Sequence, residues 1–572
     1  MAIAVTDVET LPIGTPRTVR AGDRRITLVR TDDQVFALEH ACPHQGYALA
    51  QGEVRDDVLT CAWHNWKFQL TDGRCLKGDE DVRTYPARVD PGGQVWVELT
   101  DVDPAVERPR LMRSLAEAVA DLRVGQIARD TVRLLRASAD PGELVWEAVA
   151  FGAPRAEFGW GHSIASAVDC LAIADRLTGD DRALPVVQAL AGIAETEIRR
   201  PPRARPSRLR SLPADPATAF RSAVEAESHD DAEALVLAAI EAGFGRDEMR
   251  RWFVSAVSDH HLAYGHAAIY MQKAFELLDR LGWDRAATVL PHLVPTIAWA
   301  TREDKLPYMR PFVRALGRVD LEALASRPVE RGWADDGRLR AALVNGDRVA
   351  PLAAMEQAVR DGAGAEGVLS VVSKVVGERL LGYDLAVELD PHVDFGWLDI
   401  THGLTYANAV RWAWREQSGP DTMRMVSWAV FLAWYTGRVG TRAVDPEPSG
   451  GDFLTDALAI GDGDAAGAAA MAADAPAVAD CLERAALEDR AGSFIVAAHH
   501  VKTARAAARE AAVTGSQVPL AGTARFIASP IVDRFVRTNV ARAIDLVSGR
   551  VPSELQPADR RPIDEPTYPE AG

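Results

Sequence analysis

Two patterns of apolar and polar positions divide the chain. Up to about residue 102, short runs alternate between the two classes and are rich in β-branched residues. Examples are Arg25-Ile26-Thr27-Leu28-Val29 and Val95-Trp96-Val97-Glu98-Leu99. A period of two predicts half-buried strands. Turn signals separate them at Ala21-Gly22-Asp23, Thr71-Asp72-Gly73 and Pro91-Gly92-Gly93, where glycine supplies backbone angles that other residues avoid. Near Asp103-Pro104 the period changes. From there to about residue 550 the chain is rich in Ala, Leu, Arg and Glu at helical spacing, as over 111–135, 232–242, 267–281 and 422–435, and strong strand patterns are scarce. The expected fold is multidomain: a small all-β domain over 1–103, then a large, mainly α-helical domain over 109–550. Loops are expected at 200–216, 443–452 and 461–468, and an extended Pro- and acid-rich tail at 551–572.

Composition narrows the function classes. The chain has 572 residues, 48% of them hydrophobic, which predicts a folded interior and more than one domain. Its formal charge of −18 argues against a phosphate-binding role, so no nucleic-acid partner is expected. The glycine-rich run Gly461-Asp462-Gly463-Asp464 is acidic and follows no convincing strand, so it would repel a pyrophosphate. No run reaches the length needed to span a bilayer, and the N-terminus shows no basic region leading into an apolar one. A cytoplasmic protein is expected. Five cysteines do not make a disulfide framework.

Two of those cysteines belong to a motif. Cys42-Pro43-His44 is followed by sixteen residues and then by Cys61-Ala62-Trp63-His64. Each half supplies one thiolate and one imidazole. In a Rieske centre two thiolates bind one iron and two imidazoles the other, and neutral imidazoles raise the potential of the cluster. A zinc site usually pairs Cys with Cys and His with His, whereas here both pairs are mixed. The runs His40 to Gly46, Cys61 to Phe68, Asp72 to Cys75 and Thr84-Tyr85-Pro86 resemble bacterial Rieske-type ferredoxins and the N-terminal domains of Rieske oxygenases, over about 100 residues. High-potential members of the respiratory complexes carry an extra cysteine in each ligand loop. The loops here have none, which favours the soluble, oxygenase-serving type. The resemblance implies a [2Fe–2S] cluster on Cys42, His44, Cys61 and His64, with Cys75 a small buried residue and no fifth ligand.

The remaining 450 or so residues imply that the electron is used in the same chain, and the histidines show where. His162 and Asp169 are seven apart and share a helical face, as do Asp399 and His402, three apart. His260, His261 and His266 form one group and His499 and His500 another. A single buried histidine is ordinarily a hydrogen-bonded core residue. Several in one helical region downstream of an electron carrier favour a non-haem iron that activates O2. The Asp-x2-His-x4-His pattern of Rieske oxygenases is met only in His261-x4-His266, since Ser258 stands where Asp should be. The Glu-x-x-His spacing of di-iron bundles is absent.

The segments Gly161 to Ser166, His260 to Ile269, Thr401 to Asn408 and Ala498 to Lys502 resemble questin-oxidase-like proteins, enzymes that oxidise aromatic polyketides. That likeness implies His162, His260, His266, His402 and His500 as iron ligands, with the choice between His260 and His261 and between His499 and His500 left open. Asp399 and Tyr406 are the catalytic candidates beside them. Lys374 lies in the apolar run Val368 to Val376. Buried and neutral, it could take up CO2 and offer a carbamate oxygen to a metal; the plain alternative is a buried stem with its amine in water. Trp160, Trp299, Trp397 and Tyr406 are expected to line a pocket for an aromatic or polycyclic substrate. His292 and His392, beside prolines, are read as structural. No nicotinamide or flavin fingerprint is present, so an external reductase or ferredoxin reductase is the expected electron donor. The sequence leaves open the substrate, the nuclearity of the second site and whether the chain forms a homo-oligomer. Two other readings compete: an electron-transfer protein whose helical part docks a partner, and a metal-independent acid–base enzyme with a Rieske redox sensor.

Overall fold

The computed structural model describes residues 2–99, 104–390, 393, 395–440, 453–532 and 536–549. The expected loop at 443–452, the tail at 551–572 and His392 lie outside the described residues.

The alternating N-terminal pattern folds into strands β1 (Ala2–Asp7), β2 (Arg17–Ala21), β3 (Arg24–Arg30), β4 (Val35–Glu39), β5 (Glu53–Arg55), β6 (Val58–Thr60), β7 (Lys67–Gln69), β8 (Cys75–Lys77), β9 (Thr84–Tyr85), β10 (Ala87–Val89) and β11 (Gln94–Glu98). They form three antiparallel sheets, ordered β1-β11-β10, β2-β3-β4-β9 and β5-β6-β7-β8. Register follows the buried face: Leu28 pairs with Ala37 and Leu59 with Phe68, and all four are buried. One core gathers Leu11, Ile26, Leu28, Val95 and Val97. A second gathers Leu38, Leu49, Leu59, Phe68 and Val82 around Cys42 and Cys61, so the motif cysteines are part of a hydrophobic core.

The chain divides into two compact units, residues 1–118 with 123–137, and residues 119–122 with 138 onward. The first two helices therefore cluster with the β-structure, although the change of pattern near residue 103 puts the domain edge before them. Ion pairs hold the second of them there: Glu80 accepts from Arg129 Nε at 2.6 Å and from Arg133 Nη1 at 2.8 Å. The periodic run at 111–135 is two helices, Pro104–Ala120 and Val124–Arg136, because Leu122 between them adopts a left-handed conformation at φ 54°.

The second unit is helical, as its pattern predicts. The expected loop at 461–468 is corrected: a helix spans Gly463–Ala472, opened by the Asp462 side chain, which accepts from the Ala465 amide at 3.0 Å. An N-cap carboxylate outweighs the glycines there. Four helices position the histidines of interest: His162–Ala174, His266–Leu281, Trp397–Glu416 and Phe494–Thr514.

Candidate metal centres

Two loops present the N-terminal motif, and they have the same design. The Cys42 amide donates to the Tyr47 carbonyl at 2.8 Å, and the Cys61 amide donates to the Trp66 carbonyl at 2.8 Å. Gly46 and Asn65, each four residues past its cysteine, donate back to the cysteine carbonyls, and both have positive φ. Both cysteines are buried, His44 is half-buried and His64 is exposed. The imidazoles meet edge to face with centroids 4.4 Å apart, and His44 stacks on Trp66 at 4.8 Å. Burial pushes the Cys42 thiol up to about 12, so the thiolate a cluster needs is one that bound metal must stabilise. His44 Nδ1 is a buried nitrogen with no partner, as a nitrogen reserved for a metal is. Among the described residues, three donor atoms lie within 4.8 Å of one another only elsewhere in the chain. Two thiolates and two imidazoles carried on two matching loops are the donor set of a two-iron cluster.

That other group is in the helical unit: His162, His266 and His499 offer ligand atoms within 4.8 Å of one another. His402 completes it, with Nε2 2.9 Å from His266 Nε2 and 3.3 Å from His499 Nε2. His162 and His266 each open a helix, where the N-terminal dipole disfavours a charged imidazole. His402 and His499 sit within helices and are buried. His266 Nδ1 donates to the Ala263 carbonyl at 2.6 Å, and His499 Nδ1 donates to the Ile495 carbonyl at 2.7 Å. With those protons placed, both rings turn unprotonated Nε2 atoms inward. Burial holds His162, His402 and His499 well below the usual range and brings His266 to about 3. Four neutral imidazoles whose lone pairs converge are a cation's donor set. Around them stand Lys502, whose Nζ is 2.6 Å from His162 Nδ1, and Tyr270, whose ring is 5.3 Å from His266 and 5.8 Å from His162. Burial brings the Lys502 amine down to about 7.

Comparison with known proteins separates the two units. Residues 1–86 match the family described as Rieske [2Fe-2S] domain. The anthranilate 1,2-dioxygenase ferredoxin subunit of Burkholderia cepacia is 33% identical over 81 residues, 14% of this chain and 74% of that protein. This is a Rieske-domain protein. The nitrite reductase NAD(P)H large subunit of Klebsiella oxytoca is 32% identical over 100 residues, but the match spans only 10% of that protein and 16% of this one. Among solved structures, the ferredoxin of carbazole 1,9a-dioxygenase from Nocardioides aromaticivorans IC177 aligns at 24% identity over 18% of this chain and 99% of that one, with a TM-score of 0.17.

In this Rieske-domain protein the remaining sequence candidates are dispersed. His260 lies apart from the histidine group: Nδ1 is 2.8 Å from Asp304 and Nε2 2.7 Å from Glu225. His261 packs edge to face on Tyr406 and faces Glu303. His500 packs edge to face on Phe526, its Nε2 buried and unpartnered, while its neighbour His499 faces the cluster. Asp399 caps its helix, accepting from the Gly396 amide at 2.9 Å. Lys374 is half-buried on the Gly364–Gly382 helix, and the lysine that reaches the histidines is Lys502. Trp397 packs on Tyr383 and Phe526, Trp160 donates to the Val289 carbonyl, and Trp299 is 42% exposed beside His229, so these tryptophans do not share one pocket wall. The sequence signal for Lys502 is the His499-x-x-Lys502 spacing, which puts both on one helical face. Tyr264, Tyr270 and Glu303 carry no motif of their own.

Proposed function

We propose that this chain is an oxygenase in which the Rieske cluster passes electrons to a non-haem iron held by His162, His266, His402 and His499. The observation that carries this reading is the convergence of four neutral imidazoles inside the helical unit of a chain that also holds a Rieske domain. Iron bound there would supply one-electron redox chemistry and a coordination position for O2.

The protein's own groups do the rest. The Ala263 and Ile495 carbonyls hold the Nδ1 protons of His266 and His499 and so aim their Nε2 atoms. Lys502, whose amine burial brings down to about 7, can in its uncharged form accept the His162 Nδ1 proton in the same manner. Tyr264, 6.0 Å from the His402 ring, and Tyr270 supply aromatic walls, in keeping with an aromatic or polycyclic substrate of the kind that the questin-oxidase-like resemblance implies. A separate reductase delivers electrons to the cluster. The ferredoxin subunit of a dioxygenase and the ferredoxin component of an alkene monooxygenase system, which the N-terminal region resembles, support the oxygenase class.

The test is iron and acid-labile sulfide in anaerobically purified protein, compared with a Cys42→Ser/Cys61→Ser variant. The variant should lose all sulfide yet keep iron that is then lost on His402→Ala. A variant without iron would overturn the reading and return the helical unit to partner docking or acid–base chemistry.

A further inference from the structure

The peptide unit joining Ala263 to Tyr264 is bonded at both ends. Its carbonyl accepts from His266 Nδ1 at 2.6 Å, and its N–H donates to Glu303 Oε1 at 2.9 Å. The residues around it are in an unusual conformation: Ala263, Tyr264 and Gly265 have φ of 44°, 54° and 89°. Three successive left-handed residues, two of them not glycine, cost energy and persist only where the surroundings over-determine them. The surroundings here are the 301–303 segment. Ala263 N–H donates to the Thr301 carbonyl at 2.9 Å, Glu303 N–H donates to the His261 carbonyl at 3.0 Å, and Leu262 bridges Arg302. Glu303 is 4% exposed, and its second carboxylate oxygen lies 2.7 Å from His261 Nδ1. One carboxylate oxygen is committed to the Tyr264 amide, and the other lies beside His261 without a hydrogen bond to it.

We infer that Glu303 is a positioning residue for the histidine centre, locking the Ala263–Tyr264 peptide and through it the tautomer and ring orientation of His266. The reasoning is geometric. If the peptide plane rotates, the carbonyl leaves His266 Nδ1, and nothing then fixes the ring proton on Nδ1. The proton moves to Nε2, and the nitrogen that faces His402 ceases to be a donor to metal. A buried carboxylate bonded to the N–H of that same peptide opposes the rotation, because releasing it would leave a charged oxygen unsatisfied. Outer groups of this kind typically govern metal affinity by 10- to 100-fold, an order-of-magnitude range. The inference rests on the iron reading above for its functional meaning, but not for its structural content.

The experiment uses full-length protein labelled with ¹⁵N-histidine, first without added metal in the helical site. Imidazole ¹⁵N shifts should show His266 protonated at Nδ1 in wild type and displaced toward the other tautomer in Glu303→Ala. Glu303→Gln, which keeps an acceptor for the Tyr264 amide, should restore the wild-type tautomer. Co(II) is then titrated with the cluster oxidised and diamagnetic. Affinity should fall by roughly 10- to 100-fold in Glu303→Ala and within about threefold in Glu303→Gln, and the high-spin Co(II) EPR signal should change shape only in the former. A wild-type His266 protonated at Nε2, or a Glu303→Ala protein with unchanged tautomer and Co(II) signal, would overturn the inference. The wild-type tautomer decides the matter even where the alanine variant does not fold. Wild-type protein that binds no Co(II) would overturn the iron reading alone.

Discussion

The Lys502 amine lies 2.6 Å from His162 Nδ1 and is buried among the histidines it serves. Burial lowers it to about 7, so near neutral pH much of it is uncharged and can accept a proton as a carbonyl does. Lys502→Met removes that acceptor. Iron affinity of the helical site should fall by roughly 10- to 100-fold, measured by competition with a chelator. Lys502→Arg, which is always charged and cannot accept, should be at least as damaging. Iron retention unchanged in both would remove Lys502 from the set that orients the ligands.

His499 and His500 are adjacent and both buried, yet they serve different neighbours. His499 Nε2 faces His402, and His500 packs on Phe526. His499→Ala should abolish the second iron while leaving cluster sulfide intact. His500→Leu should keep both metals and shift stability by no more than about 1 kcal/mol, because an unpartnered buried nitrogen is replaced by carbon. Metal analysis and thermal melting of the two variants check this. Loss of the second iron in His500→Leu would reverse the assignment.

These two histidines show where the sequence stops being legible. The cluster ligands sit on two short loops with fixed local spacing, and the pattern of side chains alone names them. The histidine centre is assembled from four helices spread over more than 300 residues, so spacing proposes members without choosing among them. Adjacent helical residues point roughly 100° apart, and when apolar neighbours surround the helix on all sides nothing in the pattern says which face meets the cluster. Lys374 and Lys502 pose the same problem, each in an apolar run. Asp399 shares a face with His402 by spacing, but the unsatisfied amide at the start of the helix claims its carboxylate. Glu303 was invisible because its role depends on a non-helical turn forty residues earlier. At Gly463–Ala472 the glycines point to a loop, and the Asp462 cap outweighs them.

Gly265 offers a test of the turn that presents His266. At φ 89° it lies where side chains are strained, and an added Cβ would overlap the Tyr406 ring. Gly265→Ala should destabilise the helical unit by about 1–3 kcal/mol. Weakened metal binding should accompany it, since the residue immediately precedes His266. Denaturant melts followed by circular dichroism read the first effect and Co(II) titration the second. A variant as stable as wild type would mean that the turn relaxes freely.

Acid should loosen the helical unit through Glu276. Burial raises its carboxyl, but Lys273 and Arg509 outweigh burial and bring it to about 2. Arg509 Nη1 donates to Oε1 at 2.6 Å, and Lys273 Nζ lies 3.3 Å from Oε2. The folded value is below the unfolded one of 4.5, so the folded state binds fewer protons between the two. The stabilisation is therefore complete above pH 4.5 and drains away as pH falls toward 2. Glu276→Gln should cost on the order of 2 kcal/mol at neutral pH. The gap between variant and wild type should close as pH is lowered through that window. Urea midpoints at several pH values measure it. A gap that stays constant across the window would mean that Glu276 acts by packing and that its charge contributes nothing to stability.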